Sequence, residues 1–237
     1  MYNTYMSEAF DPVRRFNERA QVYDSEVVKI IPGYGALHSA ALHILSTSLP
    51  EIANLLVCGS GTGNEALAYA LNNPGWKITG FDVSEQMALV AIAKVEAAGL
   101  EDRVRIIYGS IEDVPPGPYD AATSLLVKHF IPYEDKASYL SNIEERLKPG
   151  AKLLTADITG KRDDEEFKEY MLAWESFQKT YRDEEEEEIE KTIDRVRQNL
   201  PILSGAETVS MLEQAGFKNV RLFWKNLMIN GYVAEKI

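Results

Sequence analysis

The sequence is poor in cysteine and histidine and has no long hydrophobic run. Its 237 residues include one cysteine, Cys58, and three histidines, His38, His43 and His129. A single cysteine excludes an internal disulfide framework, and scattered histidines do not provide a metal site, so we expect no bound metal. No stretch resembles a signal peptide or a membrane span, which makes the cytoplasm the expected location.

Basic residues are also few relative to acidic ones. The chain has 25 Lys and Arg against 37 Asp and Glu, which gives a formal net charge of −12. Proteins that bind nucleic acids do so largely through cationic side chains that displace counterions from phosphates. A DNA or tRNA substrate is therefore disfavoured, and the expected partner is a small molecule.

Residues 54–82 form the most informative segment. An apolar strand at 54–58 is followed at once by Gly59-Ser60-Gly61-Thr62-Gly63, a helix, and a second strand that ends in Asp82. Alternating glycines let the backbone turn sharply and approach a ligand, and the helix directs its free N–H groups toward that ligand. An acid about twenty residues after the glycines is placed to accept hydrogen bonds from a ribose diol. We therefore predict a nucleoside cofactor here, with an ordinary tight turn as the alternative.

The spacing of the glycines separates two kinds of nucleoside cofactor. Dinucleotide-binding proteins use G-x-G-x-x-G, whereas the third glycine here, Gly63, comes one place earlier. The G-x-G-x-G pattern resembles motif I of the class I S-adenosylmethionine-dependent methyltransferases. The next two strand ends, at Asp82 and Gly109-Ser110, agree with that family in order and spacing. A nicotinamide enzyme is the less favoured rival.

The resemblance implies an α/β fold with a Rossmann-like, seven-stranded, mostly parallel sheet. The last strand would be antiparallel, a helical cap would precede the sheet, and a helical insertion would precede the last two strands. The resemblance also implies a single methyltransferase domain over residues 1–237. Its parts would be a helical cap (16–49), a cofactor-binding core (50–160), a helical insertion or lid (161–203), and a closing helix with a hairpin (204–237).

Ten residues are predicted by this resemblance to contact the cofactor. Glycines would pass beneath it, Asp82 would hold the ribose, and Ser110 with Ile111 would reach the adenine, although the family usually has an acid where Ser110 stands. Tyr23 is assigned to the cap over the methionine end, with simple packing as the alternative, and Met87 either packs on adenine or fills the core. The full set is Tyr23, Gly59, Ser60, Gly61, Asp82, Val83, Met87, Ser110, Ile111 and Leu125. The cofactor would be S-adenosyl-L-methionine and its product S-adenosyl-L-homocysteine.

The catalytic candidate is His129, which follows the fourth predicted strand at 119–125. The family places the group nearest the transferable methyl in this region, and histidine is the one titratable base there. A structural histidine at a helix start is the alternative. The N-P-P-Y or D-P-P-Y signature of enzymes that methylate amide or base nitrogens is absent, so such a substrate is disfavoured.

The helical segments around this core follow from periodicity. The pattern before the first strand predicts two helices broken near Pro32-Gly33, and residues 1–15 carry little pattern. A helix from about Ser138 to Leu147 and a fifth strand at 151–158 are predicted later in the chain. Aromatic residues recur at helical spacing between 163 and 182, which predicts an amphipathic helix in a lid or dimer surface.

Within the class, the chain is similar to the carboxy-S-adenosylmethionine synthase family, homodimeric enzymes that make a carboxylated sulfonium from the cofactor. The likeness is carried by Tyr23-Asp24, Ile31 to Tyr34, Gln198 to Leu200, Ala215 to Phe217 and Leu222 to Trp224.

Three positions depart from that family. Acids are expected where Val57 and Ser110 stand, and Asp194 falls where the carboxylate-binding arginine would lie. Because Asp194 would repel a bound carboxylate, we expect the fold and a homodimer to carry over, but not the carboxylated cofactor. The favoured function is S-adenosylmethionine-dependent methyl transfer to a small-molecule acceptor. The alternatives are a carboxy-S-adenosylmethionine synthase-like enzyme and a binding protein without methyl-transfer activity.

Overall fold

A seven-stranded sheet forms the middle of the computed structural model, which describes residues 11–237. The strands are β1 (Ala53–Cys58), β2 (Trp76–Asp82), β3 (Val104–Tyr108), β4 (Tyr119–Leu125), β5 (Leu147–Ile158), β6 (Phe217–Asn226) and β7 (Ile229–Lys236). They lie side by side in the order β3-β2-β1-β4-β5-β7-β6. Only β7 runs antiparallel to its neighbours β5 and β6. The predicted Rossmann-like, mostly parallel sheet with an antiparallel last strand is therefore confirmed.

Helices pack against the sheet, and some of them lie on the side where the parallel strands end. They are α1 (Pro12–Arg19), α2 (Tyr23–Ile30), α3 (Tyr34–Ser46), α4 (Asn64–Asn72), α5 (Glu85–Ala97), α6 (Lys136–Glu145), α7 (Glu165–Tyr181), α8 (Glu186–Asp194) and α9 (Gly205–Gln214). None of these helices is long and apolar enough to cross a membrane.

From residue 11 onward, three helices precede β1, rather than the two predicted. The break at Pro32-Gly33 is present between α2 and α3, but a further helix, α1, begins at Pro12, within the stretch that carried little pattern. Asp11 begins this helix, because its side chain accepts hydrogen bonds from the backbone N–H groups of Val13 and Arg14. Residues 1–10 lie outside the described part of the chain.

The apolar sequence of β1 follows from burial on both faces of the sheet. Leu55 and Val57 belong to the core cluster on one face, and Leu56 and Cys58 belong to the cluster on the other. All four side chains are at most 1% exposed, as expected for a central parallel strand. Burial also raises the pKa of Cys58, so this thiol serves as buried packing rather than as a reactive group.

The fifth strand begins earlier than predicted, and the helix before it ends earlier. Leu147 is already the first residue of β5, where it pairs with Tyr119 and is 3% exposed. The next pair is Ala121 with Lys152, so the intervening residues form a bulge, and Gly150 supplies a positive φ of 76°. Sequence periodicity alone predicts that the helix continues to Leu147 and that the strand begins only at residue 151.

The insertion before β6 packs as a separate helical cluster. Phe167, Met171 and Trp174 of α7 face Ile189 and Ile193 of α8. The predicted amphipathic helix is present, although its stripe is less aromatic than expected, because Tyr181 is exposed and Gln178 is buried. The Trp174 indole donates a hydrogen bond to the Ile30 carbonyl at 2.7 Å, which ties the insertion to α2.

Gly63 allows α4 and α5 to approach closely, and substituting it tests that contact. A Cβ at Gly63 would lie 2.9 Å from the Ala91 Cβ, whereas the space around the equivalent atom of Gly99 is open; φ is +82° and +65° respectively. Left-handed backbone strain of about 1–2 kcal/mol applies to alanine at both sites, and overpacking adds about 1–3 kcal/mol at Gly63 alone. Gly63→Ala should therefore lower the urea-measured free energy of unfolding more than Gly99→Ala does. Equal losses would contradict the close contact.

Candidate active site

A cavity of about 520 Å³ opens at the carboxyl ends of β1, β2 and β4. Its size is within the usual range of small-molecule sites, about 300–1,000 Å³. We call it the main cavity. Nine of the ten residues predicted from the sequence line it, namely Tyr23, Gly59, Gly61, Asp82, Val83, Met87, Ser110, Ile111 and Leu125. The structure therefore brings these nine residues together, although they come from five separate segments of the chain.

Asp82 connects the two strands that form the floor of the main cavity. Its Oδ2 accepts a hydrogen bond from the Gly61 N–H at 2.8 Å, and its Oδ1 accepts one from the Ser84 N–H at 2.8 Å. Burial raises the pKa of Asp82, and these two hydrogen bonds only partly counter that effect. Each carboxylate oxygen can accept a further hydrogen bond, so Asp82 still has acceptor capacity for a ligand.

The first two glycines of the loop are required for different reasons. A Cβ on Gly59 would lie 2.5 Å from the Val127 side chain, so this glycine allows the loop after β4 to pack close by. No atom lies within 4 Å of the corresponding position on Gly61. The space over Gly61 is thus open to the main cavity, as a ligand that rests on bare backbone requires.

The two serines predicted to contact the cofactor, Ser60 and Ser110, lie in different surroundings. Ser60 lines a small side pocket rather than the main cavity, and its buried hydroxyl has no hydrogen-bond partner among residues 11–237. Ser110 lines the main cavity, but its hydroxyl donates to the Asp113 Oδ2 at 3.1 Å. The Ser110 oxygen therefore keeps only its acceptor role toward a ligand.

The small pocket that contains Ser60 also contains a group that sequence reasoning missed. We call it the tyrosine pocket; it adjoins the main cavity through shared residues, and its volume is about 30 Å³. Tyr23, Tyr34, His38 and Glu65 line it. Glu65 is 8% exposed and lies in the first turn of α4, two residues after the last loop glycine. An acid so soon after the loop glycines was the signal in the sequence that could have identified Glu65 as a site residue.

His129 lies in a second cavity, of about 110 Å³, which we call the side cavity. It does not line the main cavity, but the two cavities share Phe16, Tyr23, Leu126 and Phe130. The His129 Nδ1 lies 3.0 Å from the Asp157 Oδ1. Because a carboxylate only accepts hydrogen bonds, Nδ1 carries the proton in this pair. Burial lowers the pKa of His129, which keeps the ring neutral at pH 7.

Asp157 holds this region together and was not singled out from the sequence. It is 2% exposed, and besides His129 it pairs with the Lys128 Nζ at 3.1 Å. Burial alone would raise the pKa of Asp157, but Lys128 and His129 outweigh that effect and hold it at about 2. Lys136 donates hydrogen bonds to the backbone carbonyls of Lys128 and Ile131 and so fixes the loop.

The expectation for Asp194 is wrong in this structure. Its side chain is half exposed and accepts a hydrogen bond from Arg197 at 2.9 Å, and it lines none of the cavities described above. Arg195 lines the side cavity instead, together with Arg15. Residues 195–199 form a π-helical turn, which shifts the facing of side chains relative to a regular helix. Burial and the charge of Arg15 lower the pKa of Arg195 to about 10, so it stays charged at pH 7.

Comparison with known proteins agrees with this geometry. Residues 56–153 match the family model described as a methyltransferase domain. A carboxy-S-adenosyl-L-methionine synthase from Staphylococcus epidermidis is 27% identical over 92% of this chain and 94% of its own. An uncharacterized methyltransferase from a Geobacillus species is 30% identical over 64% of this chain and 69% of its own. The solved O-methyltransferase family 2 protein from Planctomyces limnophilus superposes with a TM-score of 0.66 at 17% identity, over 98% of this chain and 63% of that one.

The chain belongs to the class I S-adenosylmethionine-dependent methyltransferases. Within that class it is similar to carboxy-S-adenosyl-L-methionine synthases, at 27% identity to the Staphylococcus epidermidis protein. The residues present fit S-adenosylmethionine, because open space lies over Gly61 and the Asp82 carboxylate retains acceptor capacity beside it. Among residues 11–237, no three His, Cys, Asp or Glu side chains are grouped so that they could hold a metal ion.

Asp157→Asn should destabilise the protein and make its free energy of unfolding less dependent on pH in acid. The variant leaves Lys128 buried without its carboxylate, which typically costs about 3–5 kcal/mol at pH 7. The folded-state pKa of Asp157, about 2, lies below the ordinary 3.8. Its contribution is therefore complete above pH 3.8 and is lost as the pH falls toward 2. Urea denaturation across that range should show a smaller loss of stability in Asp157→Asn than in the wild type. The exposed Glu101→Gln is the matched control, and an Asp157→Asn slope equal to the wild-type slope would refute the assignment.

Proposed function

We propose that the protein transfers the methyl group of S-adenosylmethionine to a small-molecule acceptor. The observation that carries this proposal is that His129, paired with the buried Asp157, lines the side cavity, which shares part of its lining with the main cavity. A base and a cofactor cavity in contact are what a methyl transfer to a weak nucleophile requires. We further propose a homodimer, on the basis of the family resemblance, and a cytoplasmic location, on the basis of the sequence pattern.

The main cavity would hold the cofactor through the residues predicted from the sequence. Asp82 would accept hydrogen bonds from the ribose hydroxyls, while Gly59 and Gly61 would pass beneath the cofactor. Ser110 and the Ile111 backbone would contact the adenine. Met87 and Val83 would pack near the adenine, Ser60 would lie beneath the loop, and Leu125 and Tyr23 would line the methionine side. When bound, the cofactor supplies an electrophilic methyl group on a sulfonium.

His129 would accept the proton of the acceptor. Its ring is neutral, and because Nδ1 holds its proton against Asp157, Nε2 keeps a free lone pair. The Asp157 carboxylate would stabilise the imidazolium that forms and hold the ring in position. In this proposal His129 is the catalytic base and Asp157 is a positioning residue.

The walls of the side cavity favour a small, partly apolar acceptor. Phe16, Phe130 and Trp174 supply aromatic surface, and Arg15 and Arg195 supply positive charge. A volume of about 110 Å³ suits a small organic molecule that also reaches into the shared part of the main cavity. The net charge of −12 argues against a nucleic-acid acceptor.

His129→Gln tests the proposed chemistry. Labelled S-adenosylmethionine should pass its methyl to at least one acceptor in a panel of small phenols, carboxylic acids and amines. The variant should lose about 10²- to 10⁴-fold in kcat with the same affinity for the cofactor, because only proton transfer is impaired. His43→Gln, on the exposed face of α3, should keep full activity. Tight cofactor binding without transfer to any acceptor, or an unchanged kcat in His129→Gln, would contradict the proposal.

Arg195 favours one second candidate, synthesis of a carboxylated cofactor. The guanidinium lines the side cavity, so the repulsion expected from Asp194 does not arise. Mass spectrometry of the ligand that copurifies with the protein separates the two candidates. Under our proposal this ligand is S-adenosylmethionine or S-adenosylhomocysteine. A carboxylated ligand that is lost in Arg195→Gln and retained in Arg197→Gln, its outward-facing neighbour, would select the second candidate.

A further inference from the structure

Strand β1 contains no acidic residue, yet a carboxylate lines the tyrosine pocket next to it. Val57, two residues before Gly59, is apolar and fully buried. Glu65 comes instead from α4 and reaches the tyrosine pocket, where it is 8% exposed. The pocket also includes Gly59 and Gly61, so Glu65 lies next to the backbone on which the cofactor would rest.

The Glu65 carboxylate is buried without a strong cationic partner. Its Oε1 accepts a hydrogen bond from the neutral Tyr69 hydroxyl at 3.0 Å. In residues 11–237 the one basic group paired with it is His38, whose Nδ1 lies 3.8 Å from Oε2. Burial lowers the pKa of His38, so this ring is neutral at pH 7. Lys94, on the neighbouring α5, bonds Asp24 and Asn64 instead. A buried carboxylate in this state is costly unless a cation reaches it.

Other polar groups in the tyrosine pocket also lack partners. The Ser60 hydroxyl and both ring nitrogens of His38 are buried without hydrogen bonds among the described residues. Buried polar atoms are nearly always satisfied in a working complex. The pocket volume of about 30 Å³ is enough for a group the size of a water molecule or an ammonium. An ammonium, with three donors and a positive charge, would satisfy Glu65 and neighbouring acceptors together.

We propose that Glu65 binds the ammonium group of the cofactor's methionine moiety, in place of the acid that β1 lacks at Val57. Ser60 and His38 complete the polar lining around that group. The proposal rests on the proposed function, because it requires the adenosine part of the cofactor to occupy the main cavity. It assigns to the tyrosine pocket the recognition of a primary ammonium.

Three ligands measured by isothermal titration separate this role from a structural one. S-adenosylmethionine and decarboxylated S-adenosylmethionine both carry the ammonium, and 5′-methylthioadenosine lacks it. Glu65→Gln should bind the first two about 10- to 100-fold more weakly, as for the loss of a charge-assisted hydrogen bond. Its affinity for 5′-methylthioadenosine should equal that of the wild type. Asp82→Asn is the matched contrast and should weaken all three ligands, since all three contain the ribose.

Each other outcome overturns the assignment. Unchanged affinity of Glu65→Gln for S-adenosylmethionine, or an equal loss for all three ligands, would show that Glu65 only supports Tyr69 and His38. If Glu65→Gln fails to fold, the wild type is compared on S-adenosylhomocysteine and its deaminated analogue, and equal affinities would refute the ammonium contact. Failure of the wild type to bind any of these nucleosides would instead refute the proposed function.

Discussion

The hydrogen bond from the Gly61 N–H to Asp82 is the contact on which the main cavity depends. It joins the loop after β1 to the end of β2, and the same carboxylate accepts the Ser84 N–H at the start of α5. The contact requires Gly61 to hold a φ of 52°, a conformation that other residues rarely adopt. The Asp82 side chain therefore fixes the loop, the end of β2 and the start of α5 relative to one another. It can still accept hydrogen bonds from a ligand beside the open backbone of Gly61.

A second buried acid, Asp157, lies at a neighbouring strand end, and its charge is stabilised differently from that of Asp82. Asp157, at the end of β5, faces Lys128 and His129, and these groups hold its pKa at about 2. Among residues 11–237 Asp82 accepts hydrogen bonds from backbone N–H groups only, and burial raises its pKa. The difference follows from the partners, because cations stabilise a buried carboxylate more than neutral N–H groups do. Asp157 is thus saturated within the protein, whereas in the proposed function Asp82 would gain the further donors of a ribose.

The sequence predicted the parts of the site that depend on local pattern. The glycine loop and Asp82 belong to one strand–helix–strand unit, so their spacing alone places them together. The His129–Asp157 pair spans 28 residues, and no local pattern links the two. The expectation for Asp194 was wrong for another reason, since a comparison by position assumes regular helical facing, and the π-helical turn at 195–199 breaks that assumption. The start of β5 was missed because pairing with Tyr119 outweighs the helix-ending pattern of the segment.

The charged residues that line the cavities show why a departure from a family pattern at one position is weak evidence against a shared ligand. Val57 and Asp194 lack the expected charge, yet Glu65 and Arg195 bring groups of that charge to the cavities from neighbouring turns. What a ligand experiences is the charge at a place, whichever residue supplies it. Here the acid Glu65 lines the tyrosine pocket, whereas two arginines, Arg15 and Arg195, line the side cavity. Low-dielectric walls strengthen the field of such charges, so these two cavities differ in the sign of the charge that they present to a ligand.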